Sequence, residues 1–459
     1  MKKTTLIASI LIILLIALAP LVGNIFMQKL IDQNVQALES NGLVLKRVTD
    51  DSGYLNTKKH FEFVLQNADA FTDYVSAYTK TKMPSYVKKI LSGATIAVDA
   101  QYSNIPFSKA ITLQIYMLRL SSALMQEMQK NDPDAYKHFV HFLASKGILY
   151  HIEYNLVSED FNGYVKDIDD TYMFKDGAKL VMQLQGAHFR GHGDILSPQR
   201  LSFTLKKMKF DANDGMNVIS VDINTLRSSS DFESYSKYTS NTKVFSINLL
   251  LKSPQDDIKI RLDKLDVSSA STVKNEKVSL HSNSFIESVV FHSKKIDFSL
   301  QTLNSDISFN ALDRQSYENF SELLAQSKTM NKAALQQKMQ KSLLTLLSHG
   351  LHVKVSNISL QNITVNKVEE LGSMKIQSDL KVKENKDLAT KGKIDLMLLL
   401  SSIEMDMNIK LAKALYLKLI EDSPMAPTIV SYAKKDADFV YFDIHFEDTK
   451  LIINDKIVQ

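Results

Sequence analysis

The sequence predicts an α+β protein, mostly antiparallel β-sheet in two β-rich modules with interspersed helices, preceded by one N-terminal transmembrane helix. Three observations carry that expectation. Apolar and polar residues alternate in short runs from about 199 to 310 and again from His352 to about Lys410, the period of strands with one buried face. Apolar residues recur at helical spacing in a few separate stretches, chiefly 316 to 347. And Leu6 to Gly23, LIASILIILLIALAPLVG, is one unbroken apolar or small stretch.

That stretch lies in an uncharged span between Lys3 and Lys29. At about 1.5 Å rise per residue it nearly crosses a hydrocarbon core of about 30 Å. Leu6, Ile10, Leu14, Leu18 and Leu21 are its expected membrane-facing residues. Lys2 and Lys3 ahead of it orient the N-terminus to the cytoplasm and the rest outward. A cleaved signal peptide is the alternative, with Ala17-Leu18-Ala19 as the cleavage site, but Pro20 would follow the cut directly.

A net charge of +4 spread along the chain, with no Lys/Arg block, argues against nucleic acid as a partner. Zero cysteines exclude disulfides, thiolate metal sites, cysteine nucleophiles and a lipidated cysteine. Leu396 to Leu400 is too short for a second span.

Residues 1–23 form the expected cytoplasmic tip and anchor, and 24–42 a juxtamembrane helix in which Met27, Leu30, Ile31, Val35 and Leu38 pack on the first module until Asn41-Gly42 ends it. The first β-rich module spans 43–315 with a helical insertion. Within it, Leu43 to Val48 and His60 to Leu65 read as strands, Phe71 to Tyr78 and Tyr86 to Leu91 as short helices, and Thr95 to Tyr102 as a strand. Asp132-Pro133 supplies an N-cap and a first-turn proline for a helix that runs to about Ser145 and stops at Gly147. Strands resume at Ile148 to Leu156 and Lys179 to Gln185. The connector, 316–349, carries Leu335, Met339, Leu343, Leu346 and Leu347 on one helical face. The second module, 350–459, includes a helical piece near Pro424 to Lys434. It closes with a hairpin bearing Val440, Phe442, Ile444 and Phe446, then Leu451 and Ile453 after a turn at Glu447 to Lys450.

One spacing recurs: Phe203-x-Leu205-x2-Met208-x-Phe210, Ile260-x-Leu262-x2-Leu265-x-Val267 and Val353-x-Val355-x2-Ile358-x-Leu360. Alternation with one extra residue in the middle moves the apolar face to the other side, which predicts a bulge or a strand crossing between packed surfaces.

The chain resembles the YdgA-like family of bacterial inner-membrane-anchored periplasmic proteins, which carry a domain of unknown function. The resemblance rests on the Lys-Lys N-terminus and anchor, the helix from Ile25 to Leu38, Gly42, and the strands around Tyr54 to Leu65. It continues through Leu346-Leu347-Ser348-His349-Gly350-Leu351 into the Val353 spacing. The ending Asp448-Thr449-Lys450-Leu451-Ile452-Ile453-Asn454-Asp455-Lys456 carries Asp455 where the family has glycine, and Ser52-Gly53-Tyr54 stands where it has an Arg-Gly-Trp-like stretch. The resemblance implies an inner-membrane anchor and a large periplasmic part; it supplies no reaction.

Three groups offer ligands for a metal, and each has a plainer reading. His138 and His141, with Asp134, share a helix face, yet Phe139, Val140 and Phe142 beside them suit a buried side. His188, His192 and Asp194 fall in a glycine-rich stretch read as a hairpin tip; in an extended strand His188 and His192 would stand over about 12 Å apart. His349 reads as a cap residue on the last helical carbonyls, with His352 beyond it. Asp167-Ile168-Asp169-Asp170 reads as a solvated turn. No nucleophile elbow, phosphate loop or dinucleotide fingerprint is present, so no catalytic, cofactor or metal residue is assigned and no cofactor is expected.

The expected function is therefore non-enzymatic: a membrane-anchored periplasmic envelope protein that binds a protein partner or an apolar, lipid-like ligand. Long one-sided sheets must cover their apolar face with another layer or with a ligand. The alternatives are a periplasmic hydrolase or metal-dependent enzyme with a site of scattered residues, and a homodimer joined through sheet edges.

Overall fold

The computed structural model describes residues 27–29, 31–79, 88, 91–105, 110–194, 198–234, 236–326, 332–366, 369–390, 395–421 and 430–458. The anchor residues Leu6, Ile10, Leu14, Leu18 and Leu21 lie outside them, as do Leu30 and most of the helical pieces expected at Tyr86 to Leu91 and Pro424 to Lys434. Among the described residues no helix is long and apolar enough to cross a membrane. The protein is mostly antiparallel β-sheet with interspersed helices, as alternation predicts.

The chain divides into two compact units, residues 1–207 and 208–459. The first holds strands β1 (Leu43–Ser52), β2 (Asn56–Leu65), β3 (Thr95–Ser103), β4 (Ala110–Arg119), β5 (Leu149–Asn155), β6 (Asp160–Val165), β7 (Ile168–Met173), β8 (Lys179–Gln185) and β9 (Ala187–Gly193). β10 (Pro198–Asn213) contains the division. Each of β1 to β6 pairs antiparallel with the next, and β6 and β10 flank β9. The glycine-rich stretch from His188 is thus a central strand and not a hairpin tip. Residues 31–40 are helical and press Ile31, Val35 and Leu38 onto Leu43, Phe61, Phe63 and Leu65, the packing its periodicity predicts. Gly42 ends that helix at φ +95°, where a Cβ would come within 2.3 Å of the Asn67 carbonyl. Asp132 caps the helix Pro133–Ala144, accepting from the Asp134 and Ala135 amides at 3.2 and 2.9 Å. The helix Ser122–Asn131 and strand β4 fall outside the elements expected from sequence, although β4 alternates Ile111, Leu113, Ile115 and Met117 with Thr112, Gln114 and Tyr116.

The second unit is an antiparallel meander. Its long strands are β11 (Val218–Ser234), β12 (Lys237–Lys252), β13 (Asp257–Lys274), β14 (Lys277–His292), β15 (Asp297–Asp313), β16 (Leu351–Val365), β17 (Glu369–Val382) and β18 (Ile403–Ala412). Each pairs with the next. β18 then pairs with β20 (Phe439–Glu447), which the short β19 (Lys434–Lys435) also joins and which β21 (Lys450–Ile453) and β22 (Lys456–Ile457) follow as successive hairpins. Both closing turns have two central residues in the left-handed region, Asp448-Thr449 and Asn454-Asp455, so Asp455 at φ +66° takes up the turn that glycine would make easily. Asn454 fastens the second turn: it is buried, accepts from the Asp443 amide, and donates to the Tyr432 and Tyr441 carbonyls.

The expected connector falls inside this unit. Its helices, Arg314–Gln326 and Lys332–Ser348, join β15 to β16, which pair directly, so the sheet runs on past them. They close over Val278, Leu312 and Leu346. Leu344 and Leu346 are buried while Leu343 is exposed, because leucines surround the last turns and the sheet meets a face one residue on from the expected one. Two short helices, Asp387–Thr390 and Leu396–Ser401, interrupt the strands expected up to Lys410, and Asp395 caps the second. The helix Lys413–Glu421 buries Leu415 and Tyr416 against Leu411, Val440 and Phe442.

Candidate functional site

Of the histidines offered as metal ligands, His138, His192 and His352 meet a carboxylate, His349 a carbonyl and His188 an aromatic ring. His138 donates from Nε2 to Asp170 at 2.9 Å and lies against the Tyr172 ring, while Asp134 turns to Lys175 at 3.2 Å. His192 meets Asp160 at 3.1 Å and His188 neighbours Tyr164. His349 donates to the Thr345 carbonyl at 2.9 Å, the cap role expected of it, and His352 donates to Asp379 at 2.8 Å. Asp167 to Asp170 is not a solvated turn: the run enters β7, with Asp167 accepting the Gly186 amide and Asp169 the Gln183 side chain. Among the described residues no group of three metal-ligating side chains converges.

One polar cluster in the first unit was not visible in the sequence, because its members come from four elements. Asp99 on β3 accepts from His60 at 2.6 Å, Lys146 at 2.7 Å and Tyr116 at 3.2 Å. Burial works against its charge, but the Lys146 and His60 hydrogen bonds hold its carboxyl below the usual range. The Tyr116 hydroxyl is pushed up to about 12, first by burial and then by the Asp99 charge. Three donors saturate the one acid, and His60 reaches a second carboxylate, Glu62, at 3.3 Å. The arrangement ties β2, β3 and β4 together.

The second unit presents a different surface. Residues paired across antiparallel strands share a face. The register therefore puts Val221, Leu249, Ile260, Phe291, Phe298 and Val365 in one row across β11 to β16. Two residues along lies a second row, Ile223, Ile247, Leu262, Val289, Leu300 and Ile363. Ile219, Leu251 and Ile258 start a third. Every position is apolar, and Phe291 stacks on Phe298 at 5.2 Å. Yet none is buried: the two full rows are half-buried, and Ile219 and Leu251 are 47% and 38% exposed. The helix Lys413–Glu421 packs against β17, β18 and β20, in a cluster that takes in Ile363 and Val365 at the β16 end of the rows, and Arg314–Gln326 packs against β14 and β15. At about 4.8 Å per strand and about 3.4 Å per residue the two full rows span about 24 by 7 Å and the third adds about 10 by 7 Å, roughly 230 Å² together. A contiguous apolar patch of this kind, bordered by polar residues, is a candidate interaction surface.

This surface ends at a line. Thr225, Lys264 and Thr302 on alternate strands take left-handed backbone at φ +46°, +46° and +52°. The register sets them level with Phe245 and Glu287, and Lys264 bridges to Glu287 at 2.8 Å. Beyond the line the apolar side changes: Leu226, Val244, Leu265, Ile286 and Leu303 form a row on the opposite face. In β12 Val244 and Ser246 are buried while Phe245 between them is 59% exposed, so alternation itself passes through unbroken. The line is the physical form of the Ile260…Val267 spacing, with Lys264 one of its two central residues.

Comparison with protein families, with curated proteins and with solved structures finds no match to this chain.

Proposed function

We propose that this protein is a non-enzymatic, membrane-anchored envelope protein that binds an apolar, lipid-like ligand on the half-buried rows of β11 to β16. The observation that carries the reading is two unbroken apolar rows, six strands wide, half-buried throughout and joined to a buried cluster at their β16 end, where Ile363 and Val365 pack. An ordinary sheet with this pattern would bury those residues against a second sheet or a helix. Covering them with a ligand removes the same surface from water, at about 25 cal/mol per Å². The apolar run Leu6–Gly23 behind Lys2 and Lys3 supports an inner-membrane anchor with the bulk of the chain in the periplasm, the layout that the YdgA-like resemblance implies.

Native mass spectrometry of the full chain, released from membranes without delipidation, tests the reading. Lipid should travel with the wild type. Leu262→Lys, which puts a charge in the second row, should release most of it while far-UV circular dichroism stays unchanged. A wild-type chain that emerges empty overturns the proposal.

A further inference from the structure

The face that carries the apolar rows does not stay apolar, and its second half bears on what the ligand is. Past the line of left-handed residues the same face carries first Arg227, Lys243, Asp266, Phe285 and Asn304, and then Ser229, Asn241, Ser268, Asn283, Asp306 and Asn357, one per strand from β11 to β16. The next row carries Asp231, Thr239 and His281. A concavity of about 260 Å³ opens there, lined by Ser229, Asp231, Thr239, Asn241, Ser268 and His281 among others. Among the described residues the side chains of Ser229, Asn241 and Ser268 have no protein partner, and Asp306 Oδ1, buried without a hydrogen bond, faces His281 Nδ1 at 3.7 Å.

Charge does not dominate this half. Lys243 pairs with Asp266 at 2.7 Å, as Lys264 does with Glu287, so among the described residues Arg227, level with Lys243, is the cation next to the line that has no acid. What remains is a field of hydroxyl, amide and carboxylate groups beside the exposed ring of Phe245. Such groups hydrogen-bond neutral hydroxyls in both directions, and an apolar ring suits the C–H face of a sugar. Resting on the lipid-like reading above, we infer that the ligand is an amphiphile with a hydroxyl-rich, sugar-like headgroup. Its chain lies on the Val221 and Ile223 rows, and its headgroup sits in the Ser229–Asn241–Ser268 concavity.

The test uses the full chain held in amphipol and two probes with the same dodecyl tail, dodecyl maltoside and octaethylene glycol monododecyl ether. Each is titrated calorimetrically below its micelle point. Dodecyl maltoside should bind about tenfold more tightly than the ether. The double variant Asn241→Ala with Asn283→Ala should remove most of that ratio and leave the ether unchanged. Ser268→Arg, which fills the concavity, should do the same through a different change. Equal affinity of the two probes for the wild type overturns the headgroup inference while the apolar reading stands. Binding of neither overturns both. Maltose alone binding as tightly as dodecyl maltoside overturns the amphiphile in favour of a saccharide. Dodecyl sulfate binding more tightly than dodecyl maltoside, with loss in salt, overturns a neutral headgroup in favour of an anionic one.

Discussion

At Gly163 and Gly191 the missing side chain makes room for a neighbour's ring. The two strands pair Phe161 with Gly191 and Gly163 with Phe189, and each phenyl lies across the opposite glycine. A Cβ on Gly163 would stand 2.3 Å from the His151 carbonyl oxygen and 2.5 Å from the Phe189 ring. Gly163→Ala should therefore lower the stability of the chain by about 1–3 kcal/mol, as overpacking does. Urea unfolding measures it, and an unchanged midpoint would show that the rings move aside freely. The same glycines explain why β9 reads as a turn. Glycine in sequence signals either a bend or a close approach, and only the position of Phe161, thirty residues away (161 against 191), decides between them. The caps are different. Asp132 and His349 act on backbone groups within four residues, so their roles are legible from sequence alone.

Among the elements, the long strands carry a conflict between backbone preference and facing. A side chain on a left-handed residue costs roughly 1–2 kcal/mol, and Thr302, which is β-branched, adopts that form at φ +52°. Glycine there would lose about 0.5–1 kcal/mol of its own in a strand. Thr302→Gly should thus raise stability by about 0.5–1 kcal/mol net. A urea midpoint at or below the wild type would mean that the line is not strained. The repeated spacing that foretells a change of face has two structural solutions. In β13 it is the left-handed Lys264 without loss of register; in β16 the register slips by one beside Asp306 and Ile307, leaving Ser356 extra. In β10 the same spacing shows no left-handed residue. The pattern therefore announces that the apolar face must move, not how the backbone moves it.

For the whole molecule, the proposal needs the apolar rows to be in a compartment where lipid is at hand. The basic N-terminus and the Leu6–Gly23 run give the expected outcome for a reporter fused after Gln459: alkaline phosphatase, which folds only outside the cytoplasm, should be active there. Activity of a cytoplasmic reporter alone at that position would remove the envelope setting. What the sequence by itself determined is local: strands from alternation, helix ends from caps, two-residue turns from polar pairs, and the existence of an apolar face on β11 to β16. Each depends on residues a few positions apart. The tertiary structure alone decided which residues stand level across strands, that the helix Lys413–Glu421 meets the rows beginning at Val221 at their β16 end, and that hydroxyl and amide rows share a face with apolar ones. Those depend on register and on which layer packs where, and alternation, being the same for a covered sheet and an open one, carries no record of either.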